Sequence, residues 1–266
     1  SLSKRSMSRI TKYLEMMGAE ISITNKDYLP LMINGDNELL PMEHRIKTPS
    51  AQIKSALILA GLNIHGKTKI IETRPTRDHT ERLLKFLDVN LKTKKLKNGV
   101  IEIELIGPQE IKSRDIEVAS DPSSASFFIV GALITPGSKI TLNNILLNPT
   151  RIAFINVLKR MGGKVKVKKT NFKCGEDVGN ITAEYSSLNG ITIASSLSPL
   201  LIDEYPILSI AASQAKGKTT MRGLEELRYK ESDRIKSISY NLRRIGYNVS
   251  DVDNNLIIKG KNLEIK

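Results

Sequence analysis

A chain of 266 residues with 41 Lys and Arg against 28 Asp and Glu carries a net charge of +13, which favours anionic ligands, whether polymers, lipid headgroups or small phosphorylated compounds. Aromatic residues make up 5% and Trp is missing, so the stacking platforms of single-strand nucleic-acid binders are poorly supplied. One cysteine, Cys174, excludes an internal disulfide, and no apolar run reaches the roughly 18 residues of a membrane span. A cytoplasmic protein follows as the expectation, with length enough for two domains or one large one.

In chain order, the first predicted element is the end of an amphipathic helix that runs into a strand, YLEMMGAEISI from Tyr13. An apolar helix with Ser50 as cap, a loop and a strand follow in PSAQIKSALILAGLNIHGKTKIIE. RPTRDHTERLLKFL, from Arg74, reads as a loop entering a helix, with Thr76 or Asp78 as cap and Glu81 in the first turn. LKNGVIEIEL is a hairpin signal turning on Asn98 and Gly99. The polar turn IEVASDPSSASFF, Ile116 to Phe128, leads into a second apolar helix and suggests a domain boundary, with domains at 1–119 and 120–266. A third apolar helix and strand come with DEYPILSIAASQAKGKTTMRGL from Asp203, and the amphipathic NLRRIGYNVSD from Asn241 closes the series.

These elements repeat. YLEMMGAEISI, LLKFLDVNLKT, VLKRMGGKVKV and NLRRIGYNVSD align as the end of a helix plus a strand. Gly18, Gly162 and Gly246 stand where a helix C-terminus takes a left-handed residue, and Asp88 holds that place in the second copy. The apolar helices that begin near Ser50, Asp121 and Asp203 recur in the same frame. The unit reads helix, strand, helix, strand, turn, strand, a small α/β fold. If the units pack alike, the N-termini of the apolar helices offer partial positive charge and N–H groups to phosphate or carboxylate.

Each local motif has a plain structural reading beside the functional one. GLNIHGKT, Gly61 to Thr68, matches the phosphate-loop pattern, but a helix precedes it and a strand follows, the reverse of what the pattern needs. Gly61 is therefore expected as a helix C-cap. Cys174 is expected as an inert loop thiol, and His44, His65 and His79 lack metal spacing. In GGKVKVKK the lysines 164, 166 and 168 alternate with Val165 and Val167, the look of a half-solvated, protected edge strand. LRYKESDRI, from Leu227, has charges of both signs before a helix; on a helix Lys230 and Arg234 share a face and Glu231 projects about 100° away.

Together SLSKRSMSR, PSAQIKSALILAGL, RPTRDHTERLL, DPSSASFF, DEYPILSIAA and LRYKESDRI, spread in order over nearly the whole chain, resemble the enolpyruvyl transferase family, in its branch acting on shikimate 3-phosphate. The resemblance implies an α/β fold of βαβαββ units, six in the family and about four here, with buried parallel helices in two domains (an inside-out α/β barrel). It implies a transferase joining phosphoenolpyruvate to the 5-hydroxyl of shikimate 3-phosphate, without metal or other cofactor. Small anions, no nucleic acid, no membrane and a monomer are the expected partners and state. By resemblance Asp203 is the base, Glu231 helps protonate the enolpyruvyl methylene, and Ser50, Ala51, Gln52, Arg77, Asp203 and Lys230 contact shikimate 3-phosphate. Arg5, Gln52 and Arg234 are matched to phosphoenolpyruvate. Ala51 replaces a serine of many relatives, so one hydroxyl contact is lost. The family's N-terminal lysine and C-terminal arginine lack counterparts, so the chain is expected to be a central fragment, inactive alone.

Overall fold

The computed structural model describes residues 6–25, 27–34 and 38–261. The chain forms two compact units, Ser1–Ile116 and Glu117–Lys266.

The first unit opens with α1 (Ser8–Met16) and a hairpin of β1 (Glu20–Asn25) and β2 (Tyr28–Asn34). A complete βαβαββ repeat follows: β3 (Glu43–Ile46), α2 (Ala51–Gly61), β4 (Gly66–Glu72), α3 (His79–Phe86), β5 (Leu91–Lys95) and β6 (Ile101–Gly107). Its sheet has the order β3-β4-β6-β5, parallel in the first pair and antiparallel in the others. Asn98 and Gly99, both at positive φ, make the β5–β6 turn. α2 packs Ile53, Leu57 and Ile58 against Ile70, Ile103 and Leu105 of the sheet.

The second unit holds two more repeats. In one, α4 (Pro122–Ile134), β7 (Lys139–Leu146), α5 (Ala153–Arg160), β8 (Lys164–Lys173) and β9 (Glu176–Glu184) form a sheet of order β7-β9-β8, and a parallel bridge from Ser120 to Ile145 stands where the first strand would lie. In the other, β10 (Thr192–Ile193), a short α6 (Ser198–Leu201), α7 (Tyr205–Gln214), β11 (Lys218–Met221), α8 (Arg234–Arg244), β12 (Asn248–Val252) and β13 (Asn255–Lys259) give the order β10-β11-β13-β12. That order and its strand directions match the first unit's sheet. α4 and α7 pack on each other over a core containing Ile129, Leu133, Leu208 and Ala211. α4 is apolar around its circumference, yet Phe127 and Phe128 are exposed. β8 is an edge strand whose Lys164, Lys166 and Lys168 face solvent while Val165 is buried.

Two backbone devices recur. The outer helices α1, α3, α5 and α8 end in the same turn: Gly18, Asp88, Gly162 and Gly246 all have positive φ. In each, the following residue donates back to a carbonyl five residues earlier, as Ala19 to Leu14 (3.0 Å), Val89 to Leu84 (2.9 Å), Gly163 to Leu158 (2.8 Å) and Tyr247 to Leu242 (2.9 Å). This is the Schellman arrangement, and it aims the chain into the next strand. The buried helices are closed differently. Their final carbonyls take N–H groups from the chain just past the last strand of the same repeat: Gln109 to Leu62 (2.8 Å), Ser186 to Leu133 (2.9 Å) and Lys261 to Ser213 (3.1 Å). Orphan carbonyls of a buried helix end are thereby satisfied.

Glycine permits that close approach. A Cβ at Gly107 would run into the Gly61 and Ile64 carbonyl oxygens, and one at Gly260 into those of Ala215 and Ala212. Gly61 itself differs from the expectation of a helix C-cap: it is the last residue of α2, with Leu62 at the cap in right-handed geometry. A Cβ on Gly61 would press on Thr68 Oγ1 at 3.0 Å and Leu105 Cδ1 at 3.2 Å, so this glycine lets the helix sit close to the sheet. α2 running into β4 also removes the strand-then-helix context that GLNIHGKT would need to hold a nucleotide.

Gly107→Ala and Gly260→Ala are expected to destabilise the fold by about 1–3 kcal/mol through overpacking. Gly131→Ala, inside α4 with open space at its Cβ, is expected to stabilise by about 0.5–1 kcal/mol; urea unfolding of the three variants distinguishes the two signs.

His44 of β3 is 1% exposed, neither ring nitrogen has a hydrogen-bond partner, and the Tyr13 ring meets it edge-on at 6.0 Å. Burial lowers its pKa below the usual 6.5. Above that value both folded and unfolded chains hold a neutral imidazole; below it the unfolded chain takes up a proton that the folded chain resists. Stability is therefore expected to fall as pH drops below 6.5 toward the depressed folded pKa, by at most about 1.4 kcal/mol per pH unit. His44→Phe should remove that part of the pH dependence of unfolding, which a denaturant series from pH 7 to pH 5 measures.

Candidate active site

The residues matched to substrate contacts and chemistry fall on both units. On the first, Ser50 is the N-cap of α2, in extended geometry, with Oγ accepting the Ile53 N–H at 3.4 Å. Ala51 and Gln52 are the first two residues of the helix, and Gln52 is exposed at its positive end. Arg77 is half-buried in the loop before α3. Asp78 holds the N-cap position of α3, but its side chain makes no cap bond and instead accepts from Arg82 Nε at 2.8 Å. Arg5 lies outside the described residues.

Beneath this surface is an ionic cluster that the sequence reading did not find. Lys54 of α2 is 1% exposed and its Nζ meets Glu72 Oε2 at 3.0 Å and Glu81 Oε1 at 2.8 Å. Thr76 Oγ1 donates to the other Glu72 oxygen, and Ser55 of α2 bonds Thr80 at 2.6 Å. Burial pushes the Glu72 pKa up, against the pull of Lys54 and Thr76. A lone lysine in the apolar run AQIKSALILAG was the available signal, since buried lysines are almost always paired.

On the second unit, Asp203, Glu231 and Arg234 come together. Arg234 Nη1 donates to Asp203 Oδ1 at 3.2 Å and Nη2 to Glu231 Oε2 at 2.9 Å. These bonds occupy two of the five N–H donors that a guanidinium carries. Lys230 is half-buried nearby in sequence, in extended backbone.

The route to this cluster differs from the expected one. Glu225–Tyr229 is a 3₁₀ turn, Lys230 is extended, and α8 begins only at Arg234 with Asp233 as N-cap, accepting the Lys236 N–H at 3.0 Å. Lys230 and Arg234 therefore do not share a helix face, and Glu231 is not set off by helical rotation. Asp233 captures the helix start because its carboxylate suits the dipole and the first N–H groups. Burial opposes its ionisation, but the Lys236 amide and Arg228 outweigh that and hold its pKa below the usual carboxylate range. Arg228 braces the turn, reaching Asp233 (3.0 Å), Asp251 (2.7 Å) and Asn254 (2.8 Å), while Tyr229 is exposed.

Asp203 likewise stands just outside its helix: Glu204 is the N-cap residue of α7, because α6 and the turn after it delay the helix to Tyr205. The N-terminal ends of α4 and α7 are joined at Ser123, whose Oγ donates to Glu204 Oε1 and accepts from Arg151 Nη2 at 2.9 Å. Arg151 also reaches the α4 cap Asp121 at 2.7 Å. A groove of about 650 Å³ on α8, lined by Lys236, Tyr240, Arg243 and Arg244, does not include Asp203, Glu231 or Arg234. No described helix is long and apolar enough to cross a membrane.

The EPSP synthase (3-phosphoshikimate 1-carboxyvinyltransferase) family model matches residues 1–266. A 3-phosphoshikimate 1-carboxyvinyltransferase of Zymomonas mobilis is 44% identical over 98% of this chain and 57% of its own length. The Clostridium tetani protein of the same name is 46% identical over 98% of this chain and 58% of its own. An EPSP synthase structure from Acinetobacter baumannii superposes with a TM-score of 0.84 at 41% identity, covering 99% of this chain and 58% of that one. The enolpyruvyl transferase NikO from Streptomyces tendae shares the fold, with a TM-score of 0.67 at 15% identity over 97% of this chain and 59% of that one. The chain thus spans less than two thirds of the length of these relatives. With its repeated α/β units and its match from end to end, the chain belongs to the EPSP synthase (3-phosphoshikimate 1-carboxyvinyltransferase) family.

Proposed function

We propose that the complete protein carrying this sequence transfers the enolpyruvyl group of phosphoenolpyruvate to the 5-hydroxyl of shikimate 3-phosphate and releases phosphate. The observation that carries the reading is the Arg234 fork, which gathers Asp203 and Glu231 from separate elements around one cation. Family membership supplies the substrates, and the two carboxylates supply the acid and base that such an addition needs.

In this reading the Asp203 carboxylate takes the hydroxyl proton as the substrate oxygen bonds to C2 of phosphoenolpyruvate. The Glu231 carboxyl delivers a proton to C3, turning the methylene into a methyl group in a tetrahedral adduct. Loss of a proton from that methyl and departure of phosphate from C2 restore the double bond. Arg234 and Arg5 hold the phosphoenolpyruvate anion, because a planar fork meets carboxylate and phosphate oxygens in pairs. Ser50, Gln52, Arg77 and Lys230 hold shikimate 3-phosphate, with Ala51 giving only backbone or packing contact, and Gln52 reaches both substrates. The basic surplus serves small anions rather than nucleic acid, in a cytoplasmic monomer. Units Ser1–Ile116 and Glu117–Lys266 are read as parts of two domains, near the expected bounds of 1–119 and 120–266, the first with one complete repeat after the helix and hairpin that end another, the second with two repeats.

Phosphate release by the complete protein from phosphoenolpyruvate is expected only in the presence of shikimate 3-phosphate. Asp203→Asn should lower kcat by about 10²–10⁴, the range for a lost general base. Arg234→Lys should raise KM for phosphoenolpyruvate by about tenfold or more, since an ammonium cannot reproduce the fork. Absence of shikimate-dependent release by the unaltered protein overturns the assignment.

A further inference from the structure

The Lys54 cluster is larger than packing needs. Two carboxylates and one ammonium sit in a site where Lys54 and Glu72 are each no more than 2% exposed and Glu81 is 6% exposed. Buried ion pairs add little net stability compared with well-packed apolar residues of similar volume, because the charges must first leave water. What such a cluster adds is direction: each partner is held at a defined distance and angle.

The anchored atoms bracket one loop. Glu72 ends β4, Glu81 lies in the first turn of α3, and Thr76, between them, bonds Glu72. Ser55 adds a second tie from α2 to Thr80. The segment 73–78 is thus fastened at its base, middle and exit, and Arg77 follows directly after the middle anchor. The grip comes from α2, the helix whose first turn carries Ser50 and Gln52. One rigid helix therefore presents Ser50 and Gln52 at its tip and, through Lys54 one turn further on, holds the loop that bears Arg77.

We propose that Lys54 is a positioning residue: by gripping Glu72 and Glu81 it fixes the 73–78 loop and sets where Arg77 meets the phosphate of the shikimate ligand. This rests on the reading of the site given above. Lys54 touches no substrate, and its effect passes through Arg77.

In the complete protein, Lys54→Met is expected to raise KM for shikimate 3-phosphate about tenfold, with kcat and KM for phosphoenolpyruvate within about twofold. Added to Arg77→Ala it should raise that KM no further, because both changes remove the same contact. Thr76→Val, which removes one tie without stranding a charge, is expected to act in the same direction by about threefold, and it stands in if Lys54→Met fails to fold. An unchanged KM for shikimate 3-phosphate, or a Lys54→Met effect that multiplies fully with Arg77→Ala, overturns the proposal. If the unaltered protein shows no shikimate-dependent turnover, the functional reading fails, and ¹⁵N relaxation decides the positioning role alone. Amide order parameters over 73–78 are then expected near about 0.85 in the unaltered chain and below about 0.6 in Lys54→Met, and equal values would refute it.

Discussion

The buried helices of this chain have carbonyl ends with no water to receive them, and the fold is arranged around closing those ends. In all three repeats whose apolar helix is described, the peptide just past the last strand donates to the helix terminus, at Leu62, Leu133 and Ser213. The same bond therefore satisfies a helix end and fixes the end of an inner strand against it. Gly107 and Gly260 exist where that approach leaves no room for a side chain. Because the C-terminal ends are closed by the fold itself, the opposite ends carry the N–H groups and positive partial charge that caps and anions can use. There Ser50, Asp121 and Glu204 occupy the cap positions of α2, α4 and α7, with Asp203 directly before Glu204.

Around those N-terminal ends, charges are arranged as clusters of unlike sign. Arg234 joins two carboxylates, Arg228 joins Asp233 to the β12–β13 hairpin, Arg151 joins Asp121 to Ser123, and Lys54 joins Glu72 to Glu81. Half-buried pairs gain little, and buried ones must first lose their hydration, so neither kind adds much net stability. Their common effect is geometric, since each ties a loop to a helix start. An anion approaching Arg234 meets a guanidinium already oriented by Asp203 and Glu231, with donors remaining.

The repeat was legible because it is written in backbone chemistry: a left-handed residue after a helix is a local demand that glycine answers wherever the turn recurs. The apolar helices, the Asn98–Gly99 turn and the rejection of GLNIHGKT were legible for the same reason, each depending on immediate neighbours in the chain. Helix starts were less so. LRYKESDRI offers several polar residues able to cap, and only packing shows that Asp233 wins, which moves Lys230 and Glu231 off the helix. The start of the helix near Asp203 was legible only to within two residues, with Glu204 at the cap, because α6, four residues long, gives no periodic signal of its own. The Lys54 cluster joins residues from α2, β4 and α3, so its partners are a property of the tertiary structure.

Asp88 shows how such copies drift apart. It occupies the left-handed turn that glycine fills in the other three repeats, at φ 64°, a conformation that costs an ordinary residue roughly 1–2 kcal/mol. Its carboxylate meets Lys112 and Arg114 from the segment after β6. At this turn, conformational ease gives way to a tether. Through that one carboxylate, Lys112 and Arg114 bind the segment after β6 to the turn after α3, a link that a glycine there could not make.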